Sequence, residues 1–225
     1  VGAPDDGRAH LVLPDGCVDL VWHAGRLVVA GPDTGPVAAE PSSATTVGVR
    51  LRPGAAGVLG ESAAVLRDER VATDALWGRA GAGLADRVAH AQDDRERLTL
   101  LTAAVARRAA AARPPDAAVA AAVAALSGPG TTVAQAARAA GLSDRQLRRR
   151  FLEHVGYGPK TLDRVLRLQR FLALAIATAD DLAALAASAG YADQAHLTRE
   201  TRALAGATPR ELVAARRPSE ARTRT

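Results

Sequence analysis

Cysteine, lysine and aromatic residues are all scarce in this chain of 225 residues: one cysteine (Cys17), one lysine (Lys160) and 3% aromatics. A single thiol excludes an internal disulfide and any zinc site built from several thiolates. No stretch approaches the roughly 18–20 uninterrupted apolar residues of a membrane span, and the N-terminus lacks the basic and apolar regions of a signal peptide. A cytoplasmic protein without a membrane partner is therefore expected. The chain opens on Val1 instead of Met, which fits a non-standard start codon or a missing N-terminal piece. Hydrophobic residues make up 48% and alanine dominates them, so the core must be assembled from many small contacts. Arginine supplies 28 of the 29 basic side chains; this bias reads first as the signature of a GC-rich coding sequence.

The formal charge of +5 is unevenly placed. Residues 1–113 carry 13 basic and 14 acidic side chains, whereas residues 114–225 carry 16 and 10. Within the second half, residues 143–170 hold eight basic groups (Arg145, Arg148, Arg149, Arg150, Lys160, Arg164, Arg167, Arg170) against Asp144, Glu153 and Asp163. Such clustering is the electrostatic footprint of nucleic-acid binding; the plainer account is a solvated helix face in an Arg-rich protein.

The first half reads as short strands separated by turns. Leu11-Val12-Leu13 ends at Pro14-Asp15-Gly16, Cys17 to Trp22 runs to an Ala24-Gly25 turn, and Leu27-Val28-Val29 stops at Gly31-Pro32-Asp33. A fourth strand, Thr46 to Leu51, completes a small sheet. Leu76, Trp77, Leu84 and Val88 then predict one helix with a glycine-weakened start. Leu98, Leu101, Thr102 and Val105 predict a better one from near Asp94. After Pro114-Pro115, Asp116 can cap a short helix carrying Val119, Val123 and Leu126.

From Thr131 two similar patterns follow each other. Val133, Ala136, Ala137 and Ala140 lead into Gly141; Leu182, Leu185, Ala186 and Ala189 lead into Gly190, an offset of 49. Leu147, Arg149, Gly156, Pro159 and Leu162 recur as Leu197, Arg199, Gly206, Pro209 and Leu212, an offset of 50. This is a duplication, too short for a solenoid. Ser143-Asp144-Arg145-Gln146 is a capping box, with Leu142 and Leu147 placed to staple it. Gly141 and Gly190 suit left-handed helix stops, and Asp193 sits at a cap or first-turn position. Thr208-Pro209-Arg210-Glu211 opens the last helix. Between the copies, Lys160 to Thr178 predicts one helix of about 28 Å, with Lys160, Arg164 and Arg167 on one face.

A helix-turn-helix lays its second helix in the major groove of DNA, where residues near its N-terminus reach base edges. Arginine suits this because its fork bonds both acceptors of guanine. Leu147 and Phe151 face the core, which leaves Arg145, Arg148 and Arg149 exposed. At this point the sequence resembles the AraC/XylS family of transcription regulators, through Gly141-Leu142-Ser143-Asp144-Arg145-Gln146-Leu147-Arg148-Arg149-Arg150-Phe151, Gly190-Tyr191-Ala192-Asp193-Gln194-Ala195-His196-Leu197-Thr198-Arg199 and Gly206-Ala207-Thr208-Pro209. The resemblance covers about residues 131–214. It implies base reading by Arg145, Arg148 and Arg149 in the first unit and by Gln194, Ala195, His196 and Arg199 in the second. DNA-backbone contacts are expected at Arg150, Lys160, Arg164, Arg167, Thr198 and Arg202. Ala195 cannot hydrogen-bond a base but can touch a thymine methyl. Thr201 stands where the family usually has Phe, in register with Phe151, which implies a less well packed second unit.

The first 113 residues resemble the poorly characterised N-terminal domain of an actinobacterial-type subgroup of these regulators, through Leu13-Pro14-Asp15-Gly16-Cys17-Val18-Asp19-Leu20-Val21-Trp22, Ala30-Gly31-Pro32, Val49-Arg50-Leu51-Arg52-Pro53-Gly54-Ala55 and Asp74-Ala75-Leu76-Trp77-Gly78. The resemblance implies a small-molecule sensor or a dimerisation domain. It also implies a further segment ahead of Leu13, whose loss would leave an open sheet edge.

The expected fold is α+β: a β-rich sensor or dimerisation domain with following helices (1–113), a connecting helix and linker (114–130), an all-α tandem helix-turn-helix domain (131–217) and a disordered tail (218–225). The expected partners are double-stranded DNA, with RNA polymerase, a small-molecule effector and a second copy of the chain as further candidates. No cofactor, metal or catalytic residue is expected. Cys17 on a strand face is by default an unreactive thiol, and His10 and His23 lack the spacing of a zinc pair. Trp22 and Trp77 serve either a core or an effector pocket, and Arg50 and Arg52 either an anionic effector or an exposed strand face. The competing functional reading is a small-molecule-binding or enzymatic sheet domain with a basic, partner-binding helical appendage. A weaker third is DNA-alkylation repair, against which the single cysteine speaks.

Overall fold

Strand β2 (Val18–His23) alternates as expected: Val18, Leu20 and Trp22 are buried, and Asp19, Val21 and His23 are partly exposed on the other face. A computed structural model describes residues 11–39, 44–178 and 180–216; His10 and the tail expected at 218–225 lie outside them. Ala24 and Gly25 both take positive φ (46° and 80°), the conformation that matches a two-residue turn to strand twist. The turn closes β2 onto β3 (Arg26–Ala30) with His23 opposite Arg26.

Strands β1 (Leu11–Val12) and β4 (Val37–Ala38) form a two-stranded antiparallel ribbon of their own. The main sheet has the order β5-β2-β3-β6, with β5 being Val47–Leu51 and β6 Arg70–Ala72. This corrects the expectation that Leu11–Leu13 is one of the four strands of the sheet. Pro14 and the left-handed Gly16 (φ 80°) turn the chain away, and Leu13, 7% exposed, is drawn into the helical core instead. Its place is taken by three residues too few to show a period.

After a 3₁₀ turn (Ala56–Leu59) and the short α1 (Ala63–Leu66), the helix expected around Leu76 is two helices, α2 (Thr73–Trp77) and α3 (Arg79–Ala89). Gly78 at φ 56° breaks them apart, a conformation that side chains with a Cβ avoid. Helix α4 (Asp94–Ala111) starts at the expected place under an Asp93 cap, but its buried stripe is Leu101 and Ala104, while Leu98 is 45% exposed.

The remaining helices are α5 (Ala117–Ser127), α6 (Val133–Ala139), α7 (Asp144–His154), α8 (Pro159–Ala177), α9 (Leu182–Ala189), α10 (Gln194–Ala205) and α11 (Pro209–Arg216). They share one core around Leu126, Leu147, Phe151, Leu162, Phe171 and Leu197, and α5 joins it through Val119, Ala122 and Leu126. A second core lies between the main sheet and α3–α4. The two halves meet along α8 and the end of α7: Gln169 Nε2 donates to the Pro14 carbonyl (2.6 Å) and Arg67 Nη1 to the Gly156 carbonyl (3.1 Å).

Candidate nucleic-acid interface

Each helix-turn-helix unit is set by local bonding of side chains to backbone. In the first, Gln146 N donates to Ser143 Oγ (3.3 Å) and Ser143 N to Gln146 Oε1 (3.0 Å), which is the expected box. Thr132 and Gln135 form a second box on α6; the Thr-x-x-Gln spacing was its legible signal. Gly141 and Gly190 both stop their helices with positive φ (65° and 91°). In the second unit Asp181 caps α9 through the amides of Ala183 and Ala184. Asp193 caps α10 through His196 N (2.6 Å).

With Leu147 and Phe151 fully buried, Arg145, Arg148 and Arg149 stand exposed on the opposite side of α7. None of the three has a side-chain hydrogen bond or ion pair within the described residues. On α10, Gln194, Ala195 and Arg199 are exposed, and Leu197 and Thr201 face inward. His196 is half-buried: its ring meets Tyr191 edge-on (5.3 Å), and its Nδ1 accepts from Ala192 N (3.3 Å). A neutral ring in that arrangement carries its proton on Nε2, leaving a donor for an outside acceptor. The buried Thr201 hydroxyl donates to the carbonyls of Leu197 and Thr198 (3.0 and 3.2 Å), so the Phe-to-Thr departure leaves no orphaned polar atom.

The basic cluster of residues 143–170 divides in space. Arg150 bonds Asp116 (2.8 Å), Arg164 bonds Glu200 (2.6 Å) and Arg167 bonds Asp163, with its guanidinium 5.5 Å from the Tyr191 ring. Arg170 donates to the carbonyls of Ala189, Ser127 and Gly128, holding the C-terminal ends of α9 and α5 together. Lys160 and Arg202 are exposed, Arg202 near Glu211, and Thr198 Oγ1 donates to the Gln194 carbonyl (2.9 Å). Sequence reasoning placed Asp116 as a cap but missed it as the partner of Arg150; 34 residues of separation hid the pairing.

Asp116 joins three elements: it caps α5 through Ala118 N and Val119 N (2.9 and 3.1 Å), binds Arg150 on α7, and lies 3.8 Å from His154 Nε2. Burial pushes its carboxyl upward, but the two amides and the Arg150 guanidinium outweigh that and hold it below the usual carboxylate range. A depressed folded-state value contributes stability that is present above the unfolded-state value, about 3.9, and lost as pH falls through the folded one. Thermal unfolding followed at decreasing pH should show this loss, and Asp116→Asn should be less stable at neutral pH with a shallower acid dependence. An unchanged acid profile in the variant would remove Asp116 from the account.

In the first half, burial and Asp15 push the Cys17 thiol up to about 12, so it stays protonated and unreactive. Arg50 is engaged by Asp19 (2.9 and 2.8 Å) and Asp15 (2.8 Å), which leaves it no free fork for an effector. His23 Nδ1 pairs with Thr46 Oγ1 (2.9 Å). Trp22 belongs to the core, and Trp77, half-buried, packs against that core and also lines a groove.

Two capped helix pairs, joined by a long helix and presenting basic outer faces, define a helix-turn-helix DNA-binding protein that acts in transcription regulation. Residues 136–215 match the family model described as a helix-turn-helix domain, of the AraC type. Residues 2–72 match that of a domain of unknown function, DUF6597. The two matches together are consistent with an AraC-family regulator that carries an uncharacterised N-terminal domain. Comparison with curated proteins gives no match. Among the described residues no helix is long and apolar enough to cross a membrane.

Proposed function

We propose that α7 and α10 enter successive major grooves on one face of the duplex, about one helical turn (roughly 34 Å) apart. The observation that carries this reading is the set of three exposed, unpartnered arginines on α7, facing away from a core-anchoring Leu147-Phe151 stripe. Arg145, Arg148 and Arg149 read bases in the first groove; Gln194, Ala195, His196 and Arg199 do so in the second. Lys160 and Arg202, with the Thr198 hydroxyl, contact the backbone. Arg150, Arg164 and Arg167, tied to acids of their own domain, act chiefly by holding the helices in place. The unlike faces of α7 and α10 make an asymmetric site for a single chain.

The division proposed is 1–113 for sensing or dimerisation and 131–217 for DNA. The helix within 114–130 serves the DNA-binding part, a reading supported by the burial of Val119 and Leu126 in its core. A small-molecule effector acts through the first part, and RNA polymerase is the further partner.

Selection of bound sequences from random DNA by the full chain tests this directly. The expected product is an asymmetric site with two blocks about one turn apart, bound with an affinity that falls steeply with salt. Arg149→Ala should cost about 1–3 kcal/mol on that site and much less on random DNA. Equal loss on both would reduce Arg149 to a phosphate contact, and salt-insensitive binding would sink the reading.

A further inference from the structure

Helices α3 and α4 leave a groove of about 470 Å³ between them, at the half of the chain that faces no DNA in the reading above. Four arginines enter its walls: Arg79 and Arg87 from α3, Arg107 and Arg108 from α4. The first 113 residues hold 13 basic side chains against 14 acidic ones, yet no acid lines this groove. Among the described residues none of the four has an ion pair, although Arg50, Arg70 and Arg97 in the same half each have one. Gathering like charges costs free energy that an anion would repay.

The floor is apolar. Trp77 is pinned by its indole N–H, which donates to the Leu59 carbonyl (2.8 Å), so its ring face is fixed and its polar edge satisfied. The Arg108 guanidinium lies 3.6 Å from the centre of that ring, a cation–π contact. Leu84 and Ala104 continue the floor, and the Cβ position of Gly83 opens on empty space. A concave site of this size with an apolar floor and a few charged groups fits a small molecule; a duplex backbone would meet convex, solvated arginines such as those on α7.

We infer that the α3–α4 groove binds a small organic anion, a carboxylate or phosphate monoester with an aromatic or alicyclic body, and that this is the effector site. The body stacks over the Trp77–Arg108 floor, and the acid group is held by Arg87, Arg107 and Arg79. The inference rests on the proposed sensor role of the first half. It gains a route to the DNA-binding half from chain continuity: Arg107 and Arg108 lie in the closing turns of α4, from which Arg113-Pro114-Pro115 leads to Asp116 and hence to Arg150 on α7.

Calorimetric titration of the full chain with benzoate, cyclohexanecarboxylate and phenyl phosphate tests the site, with inorganic phosphate and uncharged benzamide as controls. The organic anions should bind saturably, one per chain, with both controls weaker by at least about tenfold. Arg87→Gln with Arg107→Gln should weaken binding by a similar factor. Gly83→Phe should abolish it by filling the groove, without lowering the melting temperature, because the change removes a glycine from a helix interior. Absence of saturable binding by all three anions, or binding indifferent to Gly83→Phe, overturns the site. So does a loss of ligand-free DNA affinity in the double arginine variant as large as that of Arg149→Ala, which would make the arginines phosphate contacts. If the anions bind but DNA retardation is unmoved, the site stands and its effector role fails. If no anion binds while selective DNA retardation persists, the site fails and the DNA-binding reading stands.

Discussion

Phe151→Ala is expected to lower the stability of the helical half by about 3–5 kcal/mol and to abolish selective DNA binding with it. Phe151 is one of two phenylalanines in the chain and is fully buried. The core it belongs to includes Ala136 and Ala137, the buried residues of α6 in the same unit. Such small side chains have no reach with which to refill the space a lost ring leaves, so the cavity term is felt nearly in full. The consequence reaches function because Phe151 and Leu147 are the inward stripe of α7, the helix whose outer stripe is Arg145, Arg148 and Arg149. Denaturant unfolding of the variant, beside Phe151→Leu as the milder change, measures the effect. A loss under about 1 kcal/mol for the alanine variant would show that this core collapses around the gap.

Gly31→Ala is expected to be nearly as damaging in the other half, by about 3 kcal/mol or more. A methyl there would sit 1.5 Å from the Leu66 carbonyl oxygen and 2.4 Å from its carbon, so backbone must move. The same crossing is closed by Gly31 N donating to the Glu69 carbonyl (3.0 Å) and Asp68 N to the Pro32 carbonyl (3.3 Å). Just beyond, Arg70 grips the nearly buried Asp33 with two bonds (2.9 and 2.6 Å), and Asp68 accepts from the amide and hydroxyl of Thr34. The end of β3, the start of β6 and the short segments at residues 31–34 and 67–69 that flank them are thus one tightly closed assembly. Calorimetry of the variant should show the transition of the sheet half moved well down. Unchanged melting would mean that α1 can shift aside at little cost.

What could be read from the residues alone follows the range of the interaction. The duplicated helix-turn-helix was legible because every device that shapes it acts within about four residues: capping boxes, left-handed glycine stops, the apolar spacing of α6 and α9, and Pro at the first turn of α11. Asp116 as a cap was equally legible. The sheet was legible strand by strand, through the period of β2 and the Ala24-Gly25 turn, but its membership was not. Whether Leu11–Leu13 or Arg70–Ala72 completes it depends on where Leu13 can be buried, and the answer lies far downstream, in the helical core whose other members run from Val119 to Leu212. The single helix expected around Leu76 failed for a local reason, since a glycine in a helical pattern can either be tolerated or break it, and Gly78 breaks it.

The candidate interface shows the same boundary. Composition and spacing by themselves determined that the second half carries the positive charge and that α7 turns Leu147 and Phe151 inward and its arginines outward. Only the tertiary structure decided which of those charges remain free. Arg150, Arg164 and Arg170 are claimed by Asp116, by Glu200 and by helix-terminal carbonyls, all from distant parts of the chain, while Arg145, Arg148 and Arg149 have no such claimant among the described residues. In the first half, the scarcity of aromatics left Trp77 ambiguous between core and pocket. Packing of α3 against α4 gave it both places: it packs against the sheet core, and its ring carries the Arg108 guanidinium in a groove that Arg79, Arg87 and Arg107 also line. Local chemistry is written along the chain, whereas the pairing of charges and the choice of partners for buried side chains arise only when distant segments share a core.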